Sequence, residues 1–164
     1  MQAGPYGNLP EVPPADRTVC VLAVSPYEED HACLRMIFSH SNWRIFRARD
    51  CREAIQFASE NRVAVVISER DLPDGNWKRL LELLTTLPAP PLLVVAAKDA
   101  DDSLWAEVLN LGAYDVLSKP LDRAEVTRII SLAWLYWKEE LDRARRRPIA
   151  RAESAGGASQ TATA

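Results

Sequence analysis

Three uninterrupted apolar segments of strand length constrain the fold of this chain more than any other feature. They read TVCVLAV at 18–24, VAVVIS at 63–68 and PLLVVAA at 91–97. A strand with one face in water alternates apolar and polar residues, so a continuous apolar strand indicates burial on both faces. Such strands occur in parallel sheets, whose connections usually cross over through helices. The sequence therefore predicts an α/β domain.

The segments between these strands have helical and turn patterns. Further strands are predicted at 43–48 and 114–118, and a loop rich in Pro, Gly and Asp at 71–76. Helices are predicted at 28–38, after the capping residue Asp50, at 77–87 before Pro88, at 101–111 before Gly112, and from Asp122 to Arg147. Strand and helix thus alternate five times, which predicts a parallel sheet with helices on both faces.

Length and composition are those of a single soluble domain. The chain has 164 residues, of which 26% are charged, and no apolar run approaches the roughly 20 residues that span a bilayer. No secretory signal is recognisable, so a cytoplasmic protein without membrane contact is expected. Three cysteines without a C-x-x-C pair, and two distant histidines (His31 and His40), predict neither a disulfide framework nor a zinc site.

The chain divides into three regions. Residues 1–16 contain four prolines and no periodicity, which predicts a disordered arm. Residues 17–141 form the folded domain, and 142–164 a disordered tail that is first basic and then small and polar. The Arg-rich end at 143–151 allows a nucleic-acid-associated regulator as an alternative function. Because there is no recognition motif, a solvated helix end is preferred.

In open parallel sheets, ligands bind beyond the carboxyl ends of the strands. The residues at these ends are Ser25 and Pro26, Glu69, Ala96, and Lys119. They are the first candidates for a functional site.

Two motifs carry a resemblance to a known family. DLPDG at 71–75 follows a buried strand, and GAYDVLSKP at 112–120 ends in Lys-Pro after the last strand. With the fivefold alternation, they resemble the receiver domain of bacterial response regulators over residues 18–140. The resemblance implies a flavodoxin-like (βα)5 fold with a parallel five-stranded sheet in the order 2-1-3-4-5. It also implies a stand-alone signalling domain of two-component phosphorelay systems and not an enzyme.

The resemblance further implies a metal site, because receivers bind Mg²⁺ through carboxylates after strands one and three. The acidic pair falls on Ser25 and Pro26, and the phosphoacceptor position falls on Glu69. Two carboxylates are thereby missing. No Mg²⁺, no other cofactor and no catalytic residue are therefore expected.

The other positions of the family's site are mostly altered as well. The hydroxyl residue that contacts the phosphoryl group falls on Ala96, and the aromatic switch residue on Val116. Only the lysine after the last strand, Lys119, matches. The expectation is a domain that cannot be phosphorylated, and the alternative is a working receiver that uses Mg²⁺.

Nearby carboxylates could replace the missing ones, but each also has a structural interpretation. The run Glu28, Glu29 and Asp30 could replace the acidic pair, but a helix first turn that suits the macrodipole is favoured. Asp71 as a substitute acceptor is disfavoured because it lies in a loop, and Asp74 is interpreted as shaping that loop. Two interpretations of Glu69 stay open. It is either a permanent mimic of a phosphorylated aspartate or an inherited relic that pairs with Lys119.

The last helix has more apolar surface than one sheet face requires. Its predicted core stripe is Val126, Ile130, Ala133, Trp137 and Leu141. Leu132, Leu135 and Tyr136 fall elsewhere, which favours a surface for a protein partner or a homodimer. The interface candidates are Trp105, Trp134, Tyr136 and Trp137, and the alternative that these rings belong to the core stays open.

Overall fold

A computed structural model of the protein describes residues 20–147. The predictions of a disordered arm at 1–16 and of a small polar tail from 148 onward lie outside the described residues. The strands are β1 Cys20–Val24, β2 Arg44–Ala48, β3 Val65–Glu69, β4 Leu92–Ala97 and β5 Asp115–Ser118. The helices are α1 Glu28–Phe38, α2 Cys51–Glu60, α3 Trp77–Thr85, α4 Asp102–Asn110 and α5 Arg123–Arg146.

The five strands form one parallel sheet in the order β2-β1-β3-β4-β5. This confirms the predicted flavodoxin-like fold. The continuous apolar segments supply β1, β3 and β4 at the centre of the sheet, where they are almost wholly buried. At the outer edge, β2 exposes the adjacent residues Phe46 and Arg47, so its burial does not follow the predicted alternation.

Helices cover both faces of the sheet and create two hydrophobic clusters. Helices α2, α3 and α4 pack on one face, around Trp77 and Leu80. Helices α1 and α5 pack on the other face, around Leu34 and Ile130. Four of the helices begin at a side chain that accepts backbone N–H groups of the first turn, and these caps are Asp50, Asn76, Asp101 and Asp122. Because these caps make the helices begin beyond the strand ends, the carboxyl edge of the sheet stays accessible.

The segment after β3 is more regular than the predicted loop. Asp71 and Leu72 pair antiparallel with Asn76 and Gly75 in a short hairpin. Gly75 has φ +156°, which side chains rarely adopt. Within the hairpin, the carboxylate of Asp74 accepts hydrogen bonds from the backbone N–H groups at positions 51 (2.8 Å) and 52 (3.0 Å), the first residues of α2. Asp74 therefore caps a neighbouring helix as well as shaping the turn.

Helix α5 continues beyond the predicted domain boundary at residue 141 and ends at Arg146. The residues from 142 to 146 are thus helical and not part of a disordered tail. Arg143 pairs with Glu140 at 2.8 Å, and cations in the last turn suit the negative end of the helix dipole. Within residues 20–147, no helix combines the length and apolarity needed to cross a membrane.

Replacing Asp74 with Ala should destabilise the fold. We expect the free energy of unfolding at pH 7 to fall by about 0.5–1 kcal/mol, the lower part of the range for helix caps, because Asp74 is exposed. Burial opposes the charged form, but the N–H donors of Cys51 and Arg52 hold the pKa of Asp74 below its usual range. The carboxylate therefore stabilises the fold above its unfolded-state pKa and loses this effect as the pH falls through its folded-state pKa. Urea titrations at pH 7 and at acid pH measure this difference, and an equal loss at both would contradict it.

Candidate functional site

The carboxyl edge of the sheet brings four of the predicted site residues together. Ser25, Glu69, Ala96 and Lys119 line one small cavity of about 10 Å³, with Asp30 between them. A water molecule needs roughly 10–15 Å³, so this inner site is filled by protein side chains. Pro26 is exposed beside it. Four of the five strand-end positions thus line one cavity, and Pro26 does not.

Lys119 is the centre of this site. Its side chain is only 9% exposed, and its Nζ donates to Oδ2 of Asp30 at 2.6 Å. The same Nζ forms an ion pair with Oε2 of Glu69, whose side chain is 12% exposed. The Tyr27 ring lies over the ammonium group, with 5.6 Å from Nζ to the ring centroid. One cation is thereby enclosed by two carboxylates and an aromatic face.

The pairing has a consequence for the charge of Lys119. Burial would by itself lower the pKa of the ammonium group, because it disfavours the charged form. Hydrogen bonds to Asp30 and Glu69 outweigh burial and raise the pKa of Lys119 above its usual range. The site therefore keeps a charged lysine held by two carboxylates.

Asp30 corrects the sequence-based interpretation of the acidic run. Asp30 does lie in the first turn of α1, as predicted, but its carboxylate also reaches Lys119. The run divides by function, since Glu28 pairs with Arg47 on the surface and Glu29 lines a wider cavity that Lys119 also lines. The sequence does contain one signal for the contact between Asp30 and Lys119, because the first helical turn after β1 necessarily starts at the carboxyl edge of the sheet.

The end of β1 is tied to Asp30 through Ser25. The Ser25 hydroxyl donates to Oδ2 of Asp30 at 2.6 Å and accepts the backbone N–H of Tyr27 at 3.1 Å. Nε2 of His31 lies 2.8 Å from the Ser25 carbonyl oxygen, so this nitrogen donates. From the sequence, His31 was considered only as a possible zinc ligand, so this contact was not predicted. Ser25 therefore positions a carboxylate and does not replace one.

These residues do not fit a magnesium site. Pro26 has no side-chain ligand, and the carboxylates of Asp30 and Glu69 are both engaged by the Lys119 ammonium group. Across residues 20–147, no group of three or more His, Cys, Asp or Glu side chains is arranged to hold a metal ion. Ala96 is opposite Glu69 in the sheet register and contributes a buried methyl group where a hydroxyl would be needed.

The switch position lies apart from the site, whereas the hairpin acid lines a cavity beside the Lys119 ion pairs. Val116 is buried, 5% exposed, in the cluster that contains Leu104 and Val108 of α4. An aliphatic side chain packed in this way has no exposed rotamer comparable to that of a switch aromatic. Asp71 is exposed in the hairpin and lines a wider outer cavity of about 250 Å³, which Asp30, Glu69 and Lys119 also line.

The apolar residues of α5 separate into core and surface. Val126, Ile130 and Ala133 are buried as predicted, whereas Leu132, Leu135 and Tyr136 are exposed by 48%, 54% and 48%. The Tyr136 ring contacts that of Tyr114, with centroids 6.2 Å apart. The surplus apolar surface predicted from the sequence is therefore present on this helix.

The tryptophan candidates differ in their availability. Trp105 on α4 is 49% exposed. Trp137 is half-buried, its Nε1 donates to the carbonyl oxygen of Pro90 at 3.1 Å, and the Arg62 guanidinium lies 5.7 Å from its ring centroid. Trp134 is also half-buried against the core. Of the four candidates, Trp105 and Tyr136 offer the most free surface.

A double-mutant cycle on Lys119→Met and Glu69→Gln should reveal strong coupling. Each single change should lower the free energy of unfolding by about 1–4 kcal/mol. Lys119→Met leaves two carboxylates without their cation, whereas Glu69→Gln leaves Lys119 paired with Asp30 and should cost less. Glu60→Gln, at an exposed position at the end of α2, provides a control that should change little. Because the pKa of Lys119 is raised, the stabilisation is present at neutral pH and is lost only as the pH rises through that pKa. Additive effects in thermal melts would mean that the two residues do not interact.

Comparison with known proteins agrees with this architecture. A family model described as response regulator receiver domain matches residues 27–131. The two-component response regulator ARR12 of Arabidopsis thaliana is 29% identical over 114 residues, which cover 66% of this chain and 18% of that protein. The KDP operon transcriptional regulatory protein KdpE of Escherichia coli is 26% identical over 113 residues, which cover 69% of this chain and 50% of that protein. The chain thus spans half or less of the length of these relatives.

Solved receiver structures superimpose on the chain. The signal receiver domain of an HD domain-containing protein from Pseudomonas fluorescens has a TM-score of 0.68 at 27% identity, over 75% of this chain and 99% of that one. The beryllofluoride-activated NtrC4 receiver domain dimer has a TM-score of 0.66 at 20% identity, over 72% and 98%. On the strength of the family match and of the sheet order, helix arrangement and Lys119 position described above, the chain belongs to the response regulator receiver domain family, whose members are signalling modules.

Proposed function

We propose that this domain is a receiver that works without phosphorylation and transmits signals in the cytoplasm by constitutive protein–protein contact. The observation that carries the proposal is the pairing of Lys119 with Asp30 and Glu69. In a receiver the lysine neutralises a phosphoryl group, and here two carboxylates already supply the negative charge. The sequence thus already supplies, beside Lys119, the negative charge that phosphorylation would create.

The alternative of a working receiver requires chemistry that the site does not support. A phosphoryl transfer needs preorganised cations and donors around the developing charge. Pro26 and Ala96 provide no polar side chain, and Lys119 is engaged by Asp30 and Glu69. We therefore propose that Mg²⁺ is not a cofactor of this domain.

The absence of a movable switch favours constitutive contact. Val116 is packed against α4 and Ala96 cannot hydrogen-bond, so no local change would reach the α5 surface through them. That surface combines exposed Leu132, Leu135 and Tyr136 with charged residues, as interfaces commonly do. The NtrC4 receiver, whose fold is similar, forms a dimer, which supports pairing of two copies as the first possibility.

Nucleic-acid binding remains the weaker candidate. Arg143, Arg145 and Arg146 lie in the exposed last turn of α5, but Arg143 is paired with Glu140. Acidic residues at 139, 140 and 142 share this turn region and reduce its positive charge. We therefore prefer a protein partner.

Incubation with acetyl phosphate and Mg²⁺ should leave the mass of the protein unchanged. The reason is that neither a metal site nor a hydroxyl donor stabilises the transition state at Glu69. Intact-protein mass spectrometry measures the result, and an added mass of about 80 Da would contradict the proposal. A variant with Ser25→Asp, Pro26→Asp, Glu69→Asp and Ala96→Thr is the matched comparison. Uptake by this variant alone would assign the defect to these four positions.

Tyr136→Glu should weaken self-association or partner binding at least tenfold while leaving the monomer folded. Tyr136 is exposed and lies off the core stripe, so a charge there opposes burial in an interface without disturbing packing. Light scattering over a concentration series reports the assembly, and circular dichroism reports the fold. Met36→Glu is the control, because Met36 is 71% exposed and lies on α1, outside the α5 surface. A monomer at all concentrations with no captured partner would reject the interface, and unfolding by Tyr136→Glu would place this residue in the core.

A further inference from the structure

A second cavity lies at the outer edge of the sheet, between α1, β2 and α2. Its volume is about 270 Å³, and the residues that matter for its chemistry are His31, Arg35, Ile45, Phe46, Arg47 and Phe57. Ile45 belongs to the cluster on the α1 face, whereas Phe57 packs on the α2 face. The cavity therefore curves around the free edge of β2. It is distinct from the Lys119 site.

The imidazole of His31 gives this cavity an unused hydrogen-bond acceptor. His31 is 4% exposed, and its Nε2 donates to the Ser25 carbonyl oxygen at 2.8 Å. In the neutral ring, Nδ1 then carries a lone pair. Among the described residues, this Nδ1 is a buried side-chain atom without a hydrogen-bond partner. Buried polar atoms are rarely left unpaired in native proteins, so the atom points to a missing donor.

The wall of the cavity is aromatic. Phe46 is 36% exposed, unusual for a large apolar side chain, and its ring lies 4.9 Å from the ring of Phe57 with 38° between the planes. Aromatic pairs of this geometry accept a third ring by offset or edge contacts. An apolar planar body is therefore the shape that this wall favours.

The mouth of the cavity is positively charged. Arg47 binds Glu28 through both guanidinium nitrogens, at 2.9 and 2.5 Å, and Arg35 lies 3.9 Å from the same carboxylate. Two cations share one anion, which leaves a net charge of +1. All three side chains are exposed by 45–67%, so they can rearrange around a second anion. Guanidinium groups bind carboxylates through two parallel hydrogen bonds.

We propose that this cavity binds a small planar aromatic acid that carries a hydroxyl group. The ring packs on Phe46 and Phe57, the carboxylate binds Arg47 and Arg35, and the hydroxyl donates to Nδ1 of His31. A volume of 270 Å³ is at the small end for ligand sites and suits a single-ring compound.

Such a ligand would bear directly on the Lys119 site. His31 holds the Ser25 carbonyl oxygen, Ser25 holds Asp30, and Asp30 holds Lys119. A donor that fixes the His31 ring would therefore fix the end of β1 and the carboxylate on Lys119. This chain of contacts offers the domain an input that requires no phosphoryl group.

Titration of the full chain with 4-hydroxybenzoate, followed by isothermal calorimetry and by amide NMR shifts, tests the proposal. We expect saturable binding, with shifts centred on residues 31, 46 and 57. Benzoate, which lacks the hydroxyl donor, should bind about three- to tenfold more weakly, as expected for the loss of one hydrogen bond. Neutral 4-hydroxybenzyl alcohol should lose at least tenfold, because its charge-assisted contacts are missing.

Variants separate this site from nonspecific binding. Arg47→Met should reduce affinity about tenfold or more, whereas Arg52→Met, an exposed arginine outside the cavity, should have no effect. His31→Phe should abolish the preference for 4-hydroxybenzoate over benzoate, and if this variant does not fold, the ligand pair on the wild-type protein tests the same hydrogen bond. No saturable binding, or binding that Arg47→Met leaves unchanged, would overturn the proposal.

Discussion

A charged amino group almost removed from water must have partners, and this requirement organises the carboxyl edge of the domain. Lys119 enters the edge from β5, and Glu69 meets it from β3. Asp30 completes the arrangement from α1, held in turn by the Ser25 hydroxyl at the end of β1. Three parallel strands and a helix are thus joined through one ammonium group. The same arrangement already engages the lysine and both carboxylates, the groups that an incoming phosphoryl group or metal ion would need.

The strands and helices were predictable because their periodicities are strong. TVCVLAV and PLLVVAA have no polar position that could face water, so only a sheet covered on both sides accommodates them. Lys119 and Glu69 were placed correctly because the edge of a parallel sheet is determined by strand ends alone. The prediction for Ala96 followed from the same register, since Ala96 is opposite Glu69.

Contacts that depend on side-chain reach were not predictable in this way. The helical pattern gives the backbone position of Asp30, but not that its side chain turns toward Lys119 and not toward solvent. Asp74 caps α2 across more than twenty positions in the sequence, and no local pattern encodes such a contact. The helical pattern predicted that α5 reaches Arg147, close to its end at Arg146, whereas the domain boundary was set at residue 141, where the apolar stripe fades. The residues of the second cavity come from three elements and share no motif.

The anchoring of Trp137 also determines how α5 is oriented beyond the sheet. Its indole is fastened to the carbonyl oxygen of Pro90, just before β4, so the rotation of the helix about its own axis is set at that point. An α-helix turns by about 100° per residue. Adding or deleting one residue between Trp137 and Arg143 would therefore swing the basic last turn by about 100° around the helix, with no change in composition. The number of residues between Trp137 and the last turn therefore sets the direction in which this end presents its charge. This spacing determines the charged surface as much as the arginines do.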